Sequence, residues 1–221
     1  MAANALRAYL AELGMVANPG IANLAKRVEK AFADPDGLPD YARRALEILI
    51  RRLEEFTEEI GALERELQAC HVGNEASQRL AAIPGVGMIT ATAIAATVTD
   101  PDHFRSGRQF AAWLGLTPQQ HSTRGRERLG RISKQGDRYL RRLVVVGATS
   151  VMRHAKDKMT RLADWIWKLL LAKPFRLISV ALANKLARIA RVVLTRGETY
   201  RPEPSAPERR RAGKRDGKSY R

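Results

Sequence analysis

The chain has 221 residues and a formal net charge of +16, and its basic residues are unevenly distributed. Residues 1–100 carry 10 basic and 14 acidic side chains, whereas residues 101–221 carry 29 basic and 9 acidic ones. A chain of this length can bury a sizeable core in one or two domains. The positive second half indicates a polyanionic partner, most simply nucleic acid, and a basic surface without a partner is the weaker alternative.

Composition also excludes several kinds of site. The single Cys70 rules out an intrachain disulfide and a cysteine-based zinc site, and it fits a reducing cytosol. Residues 80–99 form an uncharged run of bilayer length, but they are mostly Ala, Gly and Thr with a Pro-Gly-Val-Gly break, so we expect no membrane span. The histidines lack metal-ligand spacing, and we predict no metal ligands among them: His71, His103, His121 and His154.

Residues 1–73 are predicted to form a helical arm. Residues 1–14 and 21–33 are typical of short amphipathic helices bounded by Pro/Gly turns. From Tyr41 onward a heptad spacing predicts a long coiled-coil-like helix, whose partner is either a second copy of the chain or the preceding helices folded back. Its regularity favours a homo-oligomer. The apolar seam consists of Leu46, Leu49, Leu53, Phe56, Ile60, Leu63 and Leu67.

Residues 74–200 are predicted to form a compact helical domain, followed by a basic disordered tail at 201–221. Two short helices joined by the tight turn "PGVG" at residues 84–87 match a helix-hairpin-helix pattern. Gly85 and Gly87 lack a Cβ atom, so the backbone can approach a phosphate where the second helix begins. A plain turn between two packed helices is the alternative.

Three further helices are predicted at 138–152, 160–172 and 176–195, which makes the chain mainly α. The aromatic residues of "DPDHFRSGRQFAAWLGLTP" are expected in the core rather than on a base-stacking surface: Phe104, Phe110 and Trp113. Residues 119–136 are polar and rich in Gly and Arg. They predict a small β-hairpin or an extended loop, with a turn at Arg124–Gly125.

Positive charge gathers around one serine, Ser133, and we predict nucleic-acid contacts there. Ser133 precedes the helix at 138–152, where free N–H groups and the helix dipole favour an anion. In that helix three arginines at spacings of three and four share one face. Only Glu127 and Asp137 oppose the cations, which are Arg124, Arg126, Arg128, Arg131, Lys134, Arg138, Arg141 and Arg142.

The residues alone leave two roles open for Ser133. In the first, Ser133 binds a phosphate or contributes to helix capping, while the arginines follow a nucleic-acid backbone. In the second, its hydroxyl attacks a phosphate whose charge the arginines neutralise. The cluster supplies the charge stabilisation, but no neighbouring histidine or carboxylate is an obvious base.

Five blocks in order resemble one known family from near residue 1 to about residue 200. The blocks are "LRAYLAELGMV", "AAIPGVGMITATAIAA", "RQFAAWLGLTP", "GRISKQGDRYLRRLVVVGA" and "ALANKLARIARVVLTRGETY". Together they are similar to the bacterial insertion-sequence transposases of the DEDD type, also called bridge recombinases. The resemblance implies that Ser133 is the nucleophile in DNA transposition and recombination, with Lys134 and Gly136 matching the family's Gly-x-x-Ser-Lys-x-Gly block.

The resemblance also implies an N-terminal carboxylate domain that binds Mg²⁺, a coiled coil that mediates dimer contacts, and a structured guide RNA. This sequence begins where the carboxylate domain should already have ended. We therefore expect half of a composite active site, Mg²⁺ binding only together with the missing domain, and a cytoplasmic, nucleoid-associated protein. A non-catalytic helix-hairpin-helix nucleic-acid-binding module and an RNA-only binder stay open as alternatives.

Overall fold

The computed structural model describes residues 2–34, 38–120, 129–155 and 158–204. The chain divides into two compact units, Met1–Glu66 and Leu67–Arg221. The described residues are mostly helical, which confirms the predicted fold class. The helices are α1 (Ala2–Glu12), α2 (Ile21–Ala33), α3 (Asp40–Val72), α4 (Glu75–Ala81), α5 (Met88–Thr97), α6 (Gly107–Trp113), α7 (Arg138–Arg153), α8 (Arg161–Leu170) and α9 (Phe175–Arg196), with a 3-10 turn at Pro101–His103.

The first unit is a helical cluster around leucine side chains. Leu6 and Leu10 are four residues apart and therefore lie on one face of α1. They pack with Leu24 of α2 and Leu46 of α3, and each of the four side chains is at most 1% exposed. The helices that precede α3 thus cover the beginning of its heptad seam, as one of the two alternatives predicted.

The rest of the seam is open within this unit. Leu49 and Leu53 are partly buried against the leucine cluster. Beyond them the seam is exposed by 45–58%, at Phe56, Ile60 and Leu63. Apolar residues at this spacing form a continuous stripe along the helix. The folded-back helices therefore satisfy only part of the heptad pattern.

In the second unit, α9 is the central helix, and α4, α6, α7 and α8 pack against it. Its buried face alternates leucine with alanine, including Leu182, Ala183, Leu186 and Ala187. The small residues allow neighbouring backbones to come close. The core also includes a ring cluster with centroid distances of 5.0–5.6 Å, as predicted: Phe104, Phe110 and Trp113.

Side-chain caps fix where several helices of the second unit begin. α4, α6 and α8 each follow a residue whose side-chain oxygen accepts a backbone N–H from three positions further on. Such caps satisfy amide groups that the helix itself leaves unpaired. The capping residues are Asn74, Ser106 and Thr160.

A two-stranded antiparallel sheet connects α6 to α7. β1 (Pro118–Gln120) pairs with β2 (Leu129–Ile132), with Pro118 opposite Ile132 and Gln120 opposite Leu129. Between these two pairs lies one residue in β1 and two residues in β2, so the ladder is irregular. These strands confirm the predicted small hairpin, while the turn predicted at Arg124–Gly125 lies outside the described residues.

The uncharged run at residues 80–99 is not one continuous helix. It contains the end of α4, the turn at 82–87 and all of α5. In the parts of the chain that the structure describes, no helix has the length and apolar character needed to cross a membrane. Of the predicted basic tail, residues 205–221 lie outside these parts.

Candidate nucleic-acid interface

Ser133 begins a short loop that is anchored by its backbone. We call residues 133–137, between β2 and α7, the serine loop. The amide of Ser133 donates to the carbonyl of Thr117 at 2.8 Å, and the amide of Lys134 donates to the carbonyl of Gly115 at 3.2 Å. These two bonds fix the serine loop to the segment that follows α6. Ser133 is half-buried, so it is not enclosed in the core.

Two glycines allow this close approach. Gly115 and Gly136 have φ angles of +69° and +90°, a region that side chains disfavour. A Cβ atom on Gly136 would overlap the carbonyl oxygen of Trp113, and one on Gly115 would overlap the carbonyl oxygen of Gln135. The backbones of the serine loop and of the end of α6 are therefore in direct contact, and only glycine fits at either position.

Arg141 adds a side-chain link to the same contact. Its Nη1 atom donates to the carbonyl of Leu114 at 3.0 Å and to that of Gln135 at 3.4 Å. Because Leu114 follows α6 and Gln135 belongs to the serine loop, the half-buried guanidinium group joins the two segments. The structure thus gives Arg141 a structural contact, and its phosphate contact stays a prediction.

The residue that caps α7 is Asp137. Asp137 lies four residues after Ser133, and its Oδ1 atom accepts a hydrogen bond from the amide of Leu140 at 2.8 Å. The suggestion that Ser133 contributes to capping was therefore wrong. The carboxylate also occupies the helix end where we expected an anion, so a phosphate near Ser133 must be bound mainly by cationic side chains.

Such side chains are present and accessible. Arg131, Lys134, Arg138 and Arg142 are exposed, and within the described ranges none of them forms an ion pair. Arg138 and Arg142 are four residues apart and share a face of α7. The same helix also exposes Tyr139 by 57% and Val146 by 60%. The other predicted cations, Arg124, Arg126 and Arg128, lie outside the described residues.

Lys134 has an unusual backbone conformation. Its φ angle is +54°, and among the described residues no other non-glycine has a positive φ. This left-handed conformation costs roughly 1–2 kcal/mol for a residue with a Cβ atom. Strain of this kind is found most often at functional sites, where the surrounding structure imposes it. Here the surrounding hydrogen bonds are those that the amides of Lys134 and Ser133 donate to the carbonyls of Gly115 and Thr117.

The two glycines of the predicted hairpin have different surroundings. Gly85 has a φ of +80°, and a Cβ atom there would lie 2.6 Å from the carbonyl oxygen of Gly147 and 2.7 Å from Val151 Cγ2. The close approach expected for a ligand is thus made by α7. Gly87, at the N-cap of α5, has nothing within 4 Å of the place where a Cβ atom would lie, and it leaves the start of that helix open.

Comparison with known proteins identifies the region that holds the serine loop and the hairpin. Residues 77–163 match the model of the family described as Transposase IS116/IS110/IS902 family. These residues are therefore similar to a domain of that transposase family. The match covers α4 to the beginning of α8, and thus includes Gly85, Gly87, Ser133 and the cations around it.

Relatives with transposase names match over 90% of this chain. A Sinorhizobium fredii protein is 44% identical over 200 residues, and a Pseudomonas aeruginosa protein named as a family 20 transposase is 44% identical over 201 residues. The transposase for insertion sequence element IS1328 of Yersinia enterocolitica is 40% identical over 199 residues. The aligned residues make up 51%, 60% and 59% of these relatives, so the chain spans only part of their length.

Sequence reasoning missed the residues that hold the serine loop in place. Asp137 had a readable signal, because an aspartate just before a helix is a common N-cap. No sequence signal marked the other anchoring residues, because their carbonyl groups accept hydrogen bonds from residues much further along the chain. These residues are Leu114, Gly115 and Thr117. Ser133 and its neighbouring cations stay a predicted site, and no sequence pattern indicated the backbone contacts that hold Ser133 in place.

Gly136→Ala should destabilise the second unit by about 2–4 kcal/mol, because the new Cβ atom must displace the Trp113 carbonyl. Gly197→Ala is the matched control: Gly197 also has a positive φ, +66°, but nothing lies within 4 Å of its Cβ position, so we expect a loss of about 1 kcal/mol. Urea unfolding followed by circular dichroism measures both. Equal losses would contradict the close backbone contact.

Proposed function

We propose that this chain binds DNA as part of an insertion-sequence transposase of the DEDD type, with Ser133 as the nucleophile that attacks a DNA phosphate. The observation that carries the proposal is the anchored serine loop. It presents a half-buried serine next to the exposed Arg131 and Lys134, and α7 continues with the exposed Arg138 and Arg142. The transposase names of the relatives support the reaction class.

The attack would be a direct displacement at phosphorus. The Oγ atom of Ser133 forms a bond to phosphorus, and the bond from phosphorus to one deoxyribose oxygen breaks. The hydroxyl proton passes through water to that departing oxygen. Positive side chains beside the phosphate stabilise the negative charge that grows in the transition state. A rigid loop helps because the nucleophile is already oriented when DNA binds.

Magnesium and guide RNA enter the proposal from the family resemblance. Among the described residues, no group of three or more His, Cys, Asp or Glu side chains could hold a metal ion. A carboxylate domain that binds Mg²⁺ and a structured guide RNA would be partners of the serine loop.

A covalent bond between Ser133 and DNA is the direct test. We expect the full chain, supplied with Mg²⁺ and with the expected carboxylate domain in trans, to form an adduct with duplex DNA that carries a bridging phosphorothiolate, because a thiolate departs without needing a proton. The adduct is measured on a denaturing gel. Ser133→Ala should abolish it and change duplex affinity by less than about twofold, since the hydroxyl contributes little to phosphate binding compared with the cations.

Ser150→Ala is the matched control, because Ser150 is an exposed serine on α7 and lies well beyond the serine loop. It should leave the adduct unchanged. In the presence of the carboxylate domain and Mg²⁺, duplex binding by the wild-type chain without any adduct would contradict the nucleophile role. That result would favour the non-catalytic nucleic-acid-binding module.

Lys134 provides a separate test of the serine loop. Lys134→Gly should be about 1 kcal/mol more stable to urea than Lys134→Ala, because only alanine retains the left-handed strain. Both substitutions remove the ammonium group. Both should therefore weaken duplex binding and lower the slope of log affinity against log salt by about 1. If the alanine variant is as stable as the glycine variant, the strained conformation at Lys134 is wrong.

The open part of the α3 seam supports a second element of the proposal, self-association through this helix. An exposed stripe of three large apolar side chains at heptad spacing is the surface that a second copy of the same helix would cover. The part of the seam that precedes this stripe already packs against α1 and α2. We propose that two copies meet along Phe56, Ile60 and Leu63.

Ile60→Glu should weaken self-association at least about tenfold, because it buries a charge in the proposed contact. Ile48→Glu is the matched control: Ile48 is a similarly exposed isoleucine of α3, 48% against 56%, but it lies off the seam. Sedimentation velocity over a range of concentrations measures both variants. Equal effects, or a wild-type chain that stays monomeric, would contradict the proposed contact.

A further inference from the structure

A large groove crosses the second unit on the side of α9. It has a volume of about 1300 Å³ and lies between the beginning of α6, one face of α8 and α9, and the segment at residues 198–203. Pockets for small molecules usually measure about 300–1,000 Å³. The size of the groove and its open form therefore suit a section of an extended polymer better than a compact ligand.

The charge of the groove indicates which polymer. Four basic residues line it, Arg108, Lys185, Arg188 and Arg201, against the two acidic residues Glu198 and Glu203. Glu203 is already engaged, because one of its carboxylate oxygens lies 2.7 Å from Arg161 Nη1. The net positive charge favours a polyanion.

The groove also offers an aromatic surface. Trp165 of α8 lines it and is only half-buried, and the ammonium group of Lys185 lies 4.7 Å from the centre of a Trp165 ring. Sites for single-stranded nucleic acid combine these two groups, since cations follow the phosphates and a ring stacks on an exposed base. A base inside a duplex is stacked on its neighbours and is not free for such a ring.

A hydroxyl group adds a hydrogen-bond donor to the groove. Burial raises the pKa of Tyr200, and the nearby Glu203 carboxylate raises it further. Like an ordinary tyrosine, Tyr200 carries its proton at neutral pH, and its hydroxyl can donate to an anionic oxygen.

The groove is connected to the serine loop through the protein backbone. Asn184, which lines the groove, donates from Nδ2 to the carbonyl of Leu116 at 3.2 Å. The next carbonyl, that of Thr117, accepts the amide of Ser133. A strand that occupies the groove would thus contact a wall that is rigidly joined to the serine loop.

We propose that this groove is a second nucleic-acid site, and that it binds an unpaired strand while the exposed face near Ser133 binds duplex. Arg108 and Arg188 contact phosphates, and Trp165 stacks on a base. The inference rests on the proposed DNA-binding function, because it names a further strand that the same chain would hold. DNA and RNA share the chemistry involved, so the experiment uses both.

The test measures the affinity of the full chain for three fluorescent probes: a short mixed-sequence DNA strand, the RNA strand of the same sequence, and the corresponding DNA duplex. The double variant Arg108→Ala/Arg188→Ala should bind an unpaired strand at least about tenfold more weakly, while duplex affinity changes less than about threefold. For two lost phosphate contacts, the log–log salt slope for a single strand should fall by about 1.4. A loss for only one of the two strands assigns the groove to DNA or to RNA.

The double variant Arg176→Ala/Arg196→Ala is the matched control. It removes two exposed arginines of α9 that do not line the groove, so the net charge changes equally. Its affinity for each probe should stay within about threefold of wild type. Trp165→Phe gives a second readout, because strand binding should quench tryptophan emission in wild type and much less in this variant.

Three outcomes would overturn the inference. The first is an equal loss of single-strand and duplex affinity in the groove variant, and the second is an equal effect of the control variant. The third is displacement of the strand by polyglutamate as efficiently as by an unlabelled strand, which would show a general anion surface. If any of these three outcomes occurs while duplex binding still depends on Lys134, the groove inference fails and the proposed function stands. A wild-type chain that binds none of the three probes overturns both the groove inference and the proposed function.

Discussion

The backbone contact between the end of α6 and the serine loop is the constraint on which the candidate site depends. Gly115 and Gly136 bring the two segments together without side chains between them, and Arg141 joins them from the side. The amide of Ser133 donates to the carbonyl of Thr117, which anchors the serine backbone to the segment that follows α6. This rigidity is what separates a candidate nucleophile from a serine in an ordinary basic loop.

The contact also accounts for the unusual conformation of Lys134. Its amide donates to the carbonyl of Gly115 while the amide of Ser133 donates to the carbonyl of Thr117, and the chain makes both hydrogen bonds with a positive φ at Lys134. The protein accepts local strain at this position because the surrounding bonds determine the path. The same arrangement leaves the ammonium group of Lys134 exposed next to the serine.

Much of the fold followed from local sequence signals. The helices predicted at 138–152 and 176–195 are observed at Arg138–Arg153 and Phe175–Arg196, because amphipathic spacing and Pro/Gly boundaries act over neighbouring residues. The long helix predicted from Tyr41 onward is observed as α3, but its heptad pattern could not tell which partner covers the seam. The structure shows folded-back helices over Leu46 and an open seam from Phe56 onward.

The parts that sequence could not supply are contacts between distant segments. Gly85 belongs to a turn whose sequence matches a phosphate-binding hairpin, yet its missing Cβ atom makes room for Gly147. No local sequence pattern indicates that contact. Ser133 stood out by its charged neighbours, whereas the carbonyls that hold it are invisible in a one-dimensional pattern. The sequence could therefore nominate side chains for the site, but it could not indicate the backbone-to-backbone contacts.

The Gly85–Gly147 contact makes α7 a spacer of set length. Gly147 lies nine positions after Arg138, the residue next to the serine loop, and at about 1.5 Å per residue the two are about 13–14 Å apart along the helix axis. That span is comparable to about four nucleotides along one strand at about 3.4 Å each. One residue more or fewer in this stretch would rotate the turn at residues 84–87 by about 100° around the axis of α7 relative to Ser133. The length of α7 between these points is thus as restricted as the identity of its glycine.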